Sequence, residues 1–182
     1  MMGSESSQVR KKYCVLDTSS LIKALRKNVL SEGCIYVLPT NVLNEIKDAE
    51  TRYLLDANKR FFSILDPSKR NLERVLEVAR DLGLSKILSE TDISVVATAL
   101  ELIERGHDVI VYTEDYAIQN ICAFMKIKFR SVLNRKIKVI LRVLKKCKVC
   151  GELYPEDLSE CPFCGSKEYV LERRRISRLN TN

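Results

Sequence analysis

Apolar positions along this chain fall into short unbroken runs separated by stretches of helical spacing. Tyr13-Cys-Val-Leu16 is an apolar run ended by Asp17, which reads as a buried strand with a carboxylate at its C-terminal end. Residues 18–27 have helical spacing, and Cys34-Ile-Tyr-Val-Leu38 is a second run, stopped by Pro39. Thr40 is placed to cap a helix carrying Val42, Ile46, Ala49 and Tyr53 on one face. Further helices are expected over residues 59–65 and 68–82, with Gly83 as a C-cap. Ser89 opens a longer helix through Glu104, with Ile93, Val96, Ala97, Leu100 and Ile103 at helical intervals. Residues 108–113 read as a third strand, 116–125 as a helix and 127–132 as a fourth, alternating strand. Residues 136–146 fit strand or helix equally well.

Strands alternating with helices predict an α/β fold around a mostly parallel sheet, whose natural binding crevice lies past the strands' C-terminal ends. The expected organisation is a flexible N-terminus over residues 1–11, an α/β domain over 12–134 and a connector over 135–146. A small metal module over 147–172 and a basic tail over 173–182 complete it. The apolar and charged fractions, 46% and 30%, are those of a protein with a real core. No apolar run approaches the length of a membrane span.

Three of the seven cysteines, Cys14, Cys34 and Cys122, sit singly in apolar stretches, as small buried hydrophobes do. The other four form Cys147-Lys-Val-Cys150 and Cys161-Pro-Phe-Cys164, two C-x2-C knuckles each followed by glycine. Matched pairs ten residues apart point to one tetrahedral zinc with no open coordination position, and so to a structural role. Metal-binding rather than disulfide-forming cysteines imply a reducing, intracellular compartment, the cytoplasm.

Charge then separates the two ends. Residues 1–125 carry 16 Lys+Arg against 18 Asp+Glu, whereas residues 126–182 carry 15 against 6. A basic module on a slightly acidic body suggests contact with a polyanion. Lys145, Lys146, Lys148, Lys167, Arg173, Arg174 and Arg175, with Tyr154 and Tyr169 interleaved, are the candidate RNA contacts. A basic surface serving solubility alone is the competing reading.

His107 is the single histidine, which excludes a histidine-pair ribonuclease and argues against a Ser-His-Asp hydrolase. Any hydrolysis therefore falls to carboxylates and a divalent cation. Asp17, Glu45, Asp92 and Asp115 each lie at a strand or helix end that a parallel sheet would gather on one edge. Such a set suits Mg2+ or Mn2+. Taken singly, each has a structural explanation: Asp92 completes a capping arrangement with Ser89, and Asp17 caps the helix after it.

The stretches Val15-Leu-Asp17-Thr-Ser19, Asn44-Glu45, Leu88-Ser-Glu-Thr-Asp92-Ile-Ser-Val-Val-Ala97 and Thr113-Glu-Asp115-Tyr resemble the PIN-domain nucleases, over roughly residues 12–132. The resemblance implies a Rossmann-like three-layer fold and metal-dependent endonucleolysis of single-stranded RNA. With a basic zinc ribbon behind it, the chain resembles the Nob family, which matures the 3′ end of small-subunit ribosomal RNA. Thr113-Glu-Asp115-Tyr-Ala-Ile-Gln-Asn120 strengthens this, although Glu114 stands where that family usually has aspartate. The compact length is closer to archaeal members. The resemblance implies Asp17, Glu45, Asp92 and Asp115 as holders of catalytic Mg2+ or Mn2+, with Ser19, Thr113 and Glu114 in support. It also implies a precursor of the small ribosomal subunit, with or without an assembly-factor protein, as partner. A catalytically inert RNA-binding assembly factor and a PIN toxin are the alternatives.

Overall fold

The computed structural model describes residues 12–131 and 136–179. The N-terminal segment 1–11, the end of the expected α/β domain from Val132, the connector's first residue and residues 180–182 of the basic tail lie outside the described residues.

The chain runs β1 (Lys12–Leu16), α1 (Thr18–Arg26), β2 (Cys34–Leu38), α2 (Thr40–Glu45), α3 (Ala49–Ala57), β3 (Phe62–Ile64), α4 (Lys69–Asp81), α5 (Glu90–Glu104), β4 (Val109–Tyr112), α6 (Tyr116–Phe124) and β5 (Phe129–Arg130). These strands form one parallel sheet in the order β3-β2-β1-β4-β5. Cys14, Val15 and Leu16 are all buried, so both faces of β1 are covered, as a parallel sheet with helices on either side requires. Chain order first runs outward from β1 through β2 to β3, then returns to β4 on the other side. The switch point of the fold is therefore the gap between the C-terminal ends of β1 and β4.

Three elements depart from expectation. The helix from Thr40 breaks after Glu45: Ile46 is extended, and Asp48 caps a new helix by accepting from Thr51 N at 2.8 Å. Ile46 stays in the core while Tyr53, placed on the same face by a continuous helix, is 73% exposed. Residues 59–65 are a single 3-10 turn followed by β3. Pairing with β2 supplies the hydrogen bonds that an isolated helical turn there would lack. The fourth strand shrinks to Phe129–Arg130.

The largest correction concerns the connector and the basic tail. Residues 139–147 are a nine-residue strand, β6 (Val139–Cys147), flanked by β7 (Leu153–Pro155) and β8 (Tyr169–Arg178) in an antiparallel sheet ordered β7-β6-β8. Arg173, Arg174 and Arg175 are thus rungs of a ladder, opposite Val143, Arg142 and Leu141. The ribbon consequently begins inside the expected connector. It is also stitched to the body. Val143 is part of the main hydrophobic cluster and its N–H donates to Leu82 O at 2.8 Å. Asn120 clamps Leu141 with both ends of its amide, Nδ2 to Leu141 O at 2.7 Å and Leu141 N to Oδ1 at 2.9 Å. Gly83, at φ +67°, lets α4 end against this strand: a Cβ there would lie 2.0 Å from Val143 O.

Candidate active site and metal centre

Two sets of potential metal ligands emerge, and their construction differs. At the ribbon tip the four cysteine sulfurs all lie within 4.8 Å of one another. Cys147 Sγ is 3.5 Å from Cys164 Sγ, and Cys150 Sγ is 3.6 Å from Cys161 Sγ. A tetrahedron with Zn–S of about 2.3 Å separates its sulfurs by about 3.8 Å, so the four thiols fit zinc. Gly151 and Gly165, both at positive φ, turn each knuckle back: their N–H groups donate to Cys147 O and Cys161 O at 3.0 and 2.9 Å. The Cys150 amide, and then that of Val149, pull the Cys147 thiol down to about 6 against the opposing effect of desolvation. A thiol so placed is readily deprotonated for a metal.

The four acids occupy the switch-point edge. Asp17 follows β1, and its N–H donates to Tyr112 O at 3.2 Å, joining it to the end of β4. Its carboxylate is buried and caps α1: Oδ1 accepts from Ser20 N at 2.6 Å and Ser19 Oγ at 3.1 Å. Asp115 caps α6, its Oδ1 accepting from Ala117 N and Ile118 N at 2.5 and 3.3 Å. Asp92 sits in a full capping box, with Oδ2 accepting from Ser89 N and Ser89 Oγ, both at 2.8 Å. Glu45, the last residue of α2, accepts from Thr18 Oγ1 through Oε2. A hydrogen bond from Asn41 Nδ2 to Ser94 Oγ, 3.0 Å, holds α2 against the second turn of α5.

In each carboxylate one oxygen takes the local hydrogen bonds; the other accepts none from the described residues. Burial pushes the Asp92 carboxyl above its ordinary value, and the nearby negative charges of Asp115 and Asp17 push it in the same direction. Mutual repulsion with one oxygen of each acid uncommitted is an arrangement that a divalent cation relieves. The set is looser than the cysteines: the acids do not form a group with ligand atoms within 4.8 Å of one another. Mg2+ and Mn2+ keep several waters and draw further oxygens from a phosphate, so they do not require protein ligands in mutual contact.

The supporting residues have distinct tasks. Ser19 orients Asp17, and the buried Thr113 accepts from Asp115 N through Oγ1 at 3.0 Å. Glu114 instead accepts from Ser131 Oγ at 2.7 Å, so it faces β5's end. Thr18, which donates to Glu45, is a further positioning residue, and its place directly after Asp17 is its signal in the sequence. Gln119 is another, with no local signal beyond its place in α6. Gln119 Nε2 donates to Thr113 O at 3.1 Å while its Oε1 accepts from Ile137 N at 3.0 Å, tying the acidic edge to the ribbon's entry.

Of the candidate RNA contacts, Lys146, Lys148, Lys167, Arg173, Arg174 and Arg175 are exposed. Lys146 and Arg174 each approach Glu172, at 3.9 and 2.9 Å. Lys145 is a correction. It is 3% exposed, donates to Leu158 O and stands 4.4 Å from the Tyr169 ring centroid. Strand parity places it with Val143 and Cys147 on the inward face of β6, which an unassigned segment could not reveal. Burial, then the nearby Lys86 charge, lowers its ammonium below the usual lysine range.

Comparison with known proteins agrees with this geometry. The family model for the PIN domain of ribonuclease matches residues 14–102, a span containing Asp17, Glu45 and Asp92. Endoribonuclease Nob1 of Archaeoglobus fulgidus is 33% identical over 170 residues, covering 92% of this chain and 95% of that protein. Endoribonuclease Nob1 of Pyrococcus abyssi is 35% identical over 167 residues, 90% and 96% of the two chains. Ribonuclease VapC1 of Thermoplasma acidophilum is 30% identical over 90% of this chain and 81% of its own. With four acids at the switch point of a parallel sheet and full-length likeness to these enzymes, the chain belongs to the PIN-domain endoribonucleases, in the family of the archaeal Nob1 proteins.

Proposed function

We propose that this endoribonuclease cuts precursor small-subunit ribosomal RNA at or near its mature 3′ end, in the cytoplasm, on a small-subunit precursor that an assembly-factor protein helps to present. The observation that carries the reading is the attachment of a basic four-cysteine ribbon to the body, through Val143–Leu82 and Leu141–Asn120, beside the acidic edge. Lys146, Lys148, Lys167 and Arg173–Arg175 would bind the phosphate backbone, and the knuckle cysteines would hold one structural zinc.

Asp17, Glu45, Asp92 and Asp115 would hold Mg2+ or Mn2+, which when bound activates a water and neutralises charge developing on the phosphate. The remaining work belongs to the chain. Helix caps fix the direction of Asp17, Asp92 and Asp115, Ser19 and Thr18 orient Asp17 and Glu45, and the buried β1–β4 junction keeps the edge from shifting. Preorganisation of this kind is where much of the rate arises.

The test is manganese-dependent cleavage of a short single-stranded RNA spanning the mature 3′ end. One discrete cut is expected, at least tenfold faster than on an unrelated RNA of equal length. Equal rates on both would instead favour the toxin-like reading that the VapC1 likeness supports. An enzyme that binds the RNA yet leaves it uncut would be an inert assembly factor.

A further inference from the structure

A cleft of about 650 Å³ opens between body and ribbon, immediately beside the acidic edge. Asp115 and Glu114 form one wall; Leu84, Ile87, Val139 and Leu141 form an apolar floor. Tyr116 stands at its side, and Lys138 and Arg173 supply two cations. Ile87 and Tyr116 are each 58% exposed, large apolar surface left uncovered at the mouth of a charged cleft.

We infer that this cleft takes one unstacked nucleobase of the RNA strand, from a nucleotide neighbouring the cut, with Tyr116 and Ile87 as the stacking surface and Lys138 and Arg173 on the flanking phosphates. The inference rests on the reading that RNA is cut at the Asp115 edge. Single-stranded RNA is held in this way by apolar faces for bases and cations for backbone. The cleft's amide is held by the ribbon strand: both ends of Asn120 bond Leu141, and Glu114 accepts from Ser131 Oγ. Recognition is therefore by stacking, so the cleft senses that a base is present and tolerates its identity.

Two measurements on the full chain test this. In the first, 2-aminopurine is walked along a single-stranded RNA and its fluorescence followed on binding, without added divalent ion. A change centred on one nucleotide is expected. It is lost in Tyr116→Ala and Ile87→Ser and kept in Tyr116→Phe. In the second, an abasic nucleotide at that position slows manganese-dependent cleavage on the order of tenfold. In Tyr116→Ala the same abasic change costs less than twofold, because the partner is already gone. Replacing one base by another there changes the rate less than threefold.

Uniform fluorescence changes, or changes insensitive to both variants, would overturn the inference and leave the cleft to a protein segment. A localised signal on RNA that is never cut would spare the cleft and sink the catalytic reading; cutting without a localised signal would do the reverse.

Discussion

The ribbon tip and the acidic edge both assemble four metal-ligating side chains, yet only the tip brings its ligand atoms into mutual contact distance. The difference follows from what else each residue does. The cysteines close their own knuckles and little more. Asp17, Asp92 and Asp115 are also N-caps or capping-box partners of α1, α5 and α6. One oxygen of each is committed to a helix start, which sets where the other oxygen stands. The tip has the geometry of a site built for an ion, while the edge is organised by backbone geometry whether or not an ion is bound.

The most severe way to break this contrast is to withhold from each region the metal proposed for it. Stripping zinc, or substituting Cys161→Ser, should unfold the tip, because a structural zinc of this kind contributes about 10–16 kcal/mol of folding free energy. Hydrogen exchange should show residues 147–168 losing protection while Val143, bonded to Leu82, keeps it. Withdrawing Mg2+ or Mn2+ should leave exchange at the acidic edge unchanged. A tip that stays protected without zinc would erase the contrast.

A smaller effect separates the two jobs of one acid. Asparagine caps helices about as well as aspartate. Asp17→Asn should therefore keep the fold while cleavage falls about 100-fold or more, the scale on which electrostatic catalytic groups act. Asp17→Ala should lose the same activity and in addition about 1 kcal/mol of stability. Thermal melts beside cleavage rates decide the matter: if Asp17→Asn cuts at the wild-type rate, Asp17 is a cap and nothing more.

How much of this was legible beforehand follows the same division. The knuckles were readable because ligand spacing is local, and the acids because they follow recognisable strand and helix ends. What escaped depended on partners distant in sequence. Lys145 looked like a phosphate contact until β6's parity turned it inward. Arg173–Arg175 looked like a tail because their strand exists only through pairing with residues 141–143. The helix broken at Ile46–Asp48 escaped too, since one apolar stripe suits a continuous helix as well as a broken one.

Gly83 probes the join between the regions, and its expected effect is next in size. A Cβ at this position would strike Val143 O, and φ is +67°, so neither the body nor the strand can yield without moving backbone. Gly83→Ala should cost at least about 2 kcal/mol in denaturant unfolding. It should also speed exchange at Val143 N–H. Wild-type stability would mean that the ribbon sits loosely on the body and that the contrast concerns two independent units.

The smallest effect sharpens the picture of the edge by using a second carboxylate of the same helix. Where burial raises Asp92, hydrogen bonds hold Glu101 far below the usual carboxylate value: those from Ser68 first, then that of Asn71 at 2.8 Å, bring it from 4.5 to about 2. A folded-state value below the unfolded one means that the unfolded chain binds the proton more readily. Glu101 therefore stabilises fully above pH 4.5, and its contribution drains away as pH falls from 4.5 toward 2. Glu101→Gln should remove that acid-sensitive component, lowering stability at neutral pH by about 1 kcal/mol or less after solvent screening and flattening the pH profile between those limits. Cleavage should be untouched, since every interaction of Glu101 anchors α4 to α5 or lies within α5. A cleavage defect in Glu101→Gln would show that the two ends of α5 are coupled, and that the acidic edge depends on more than its own caps.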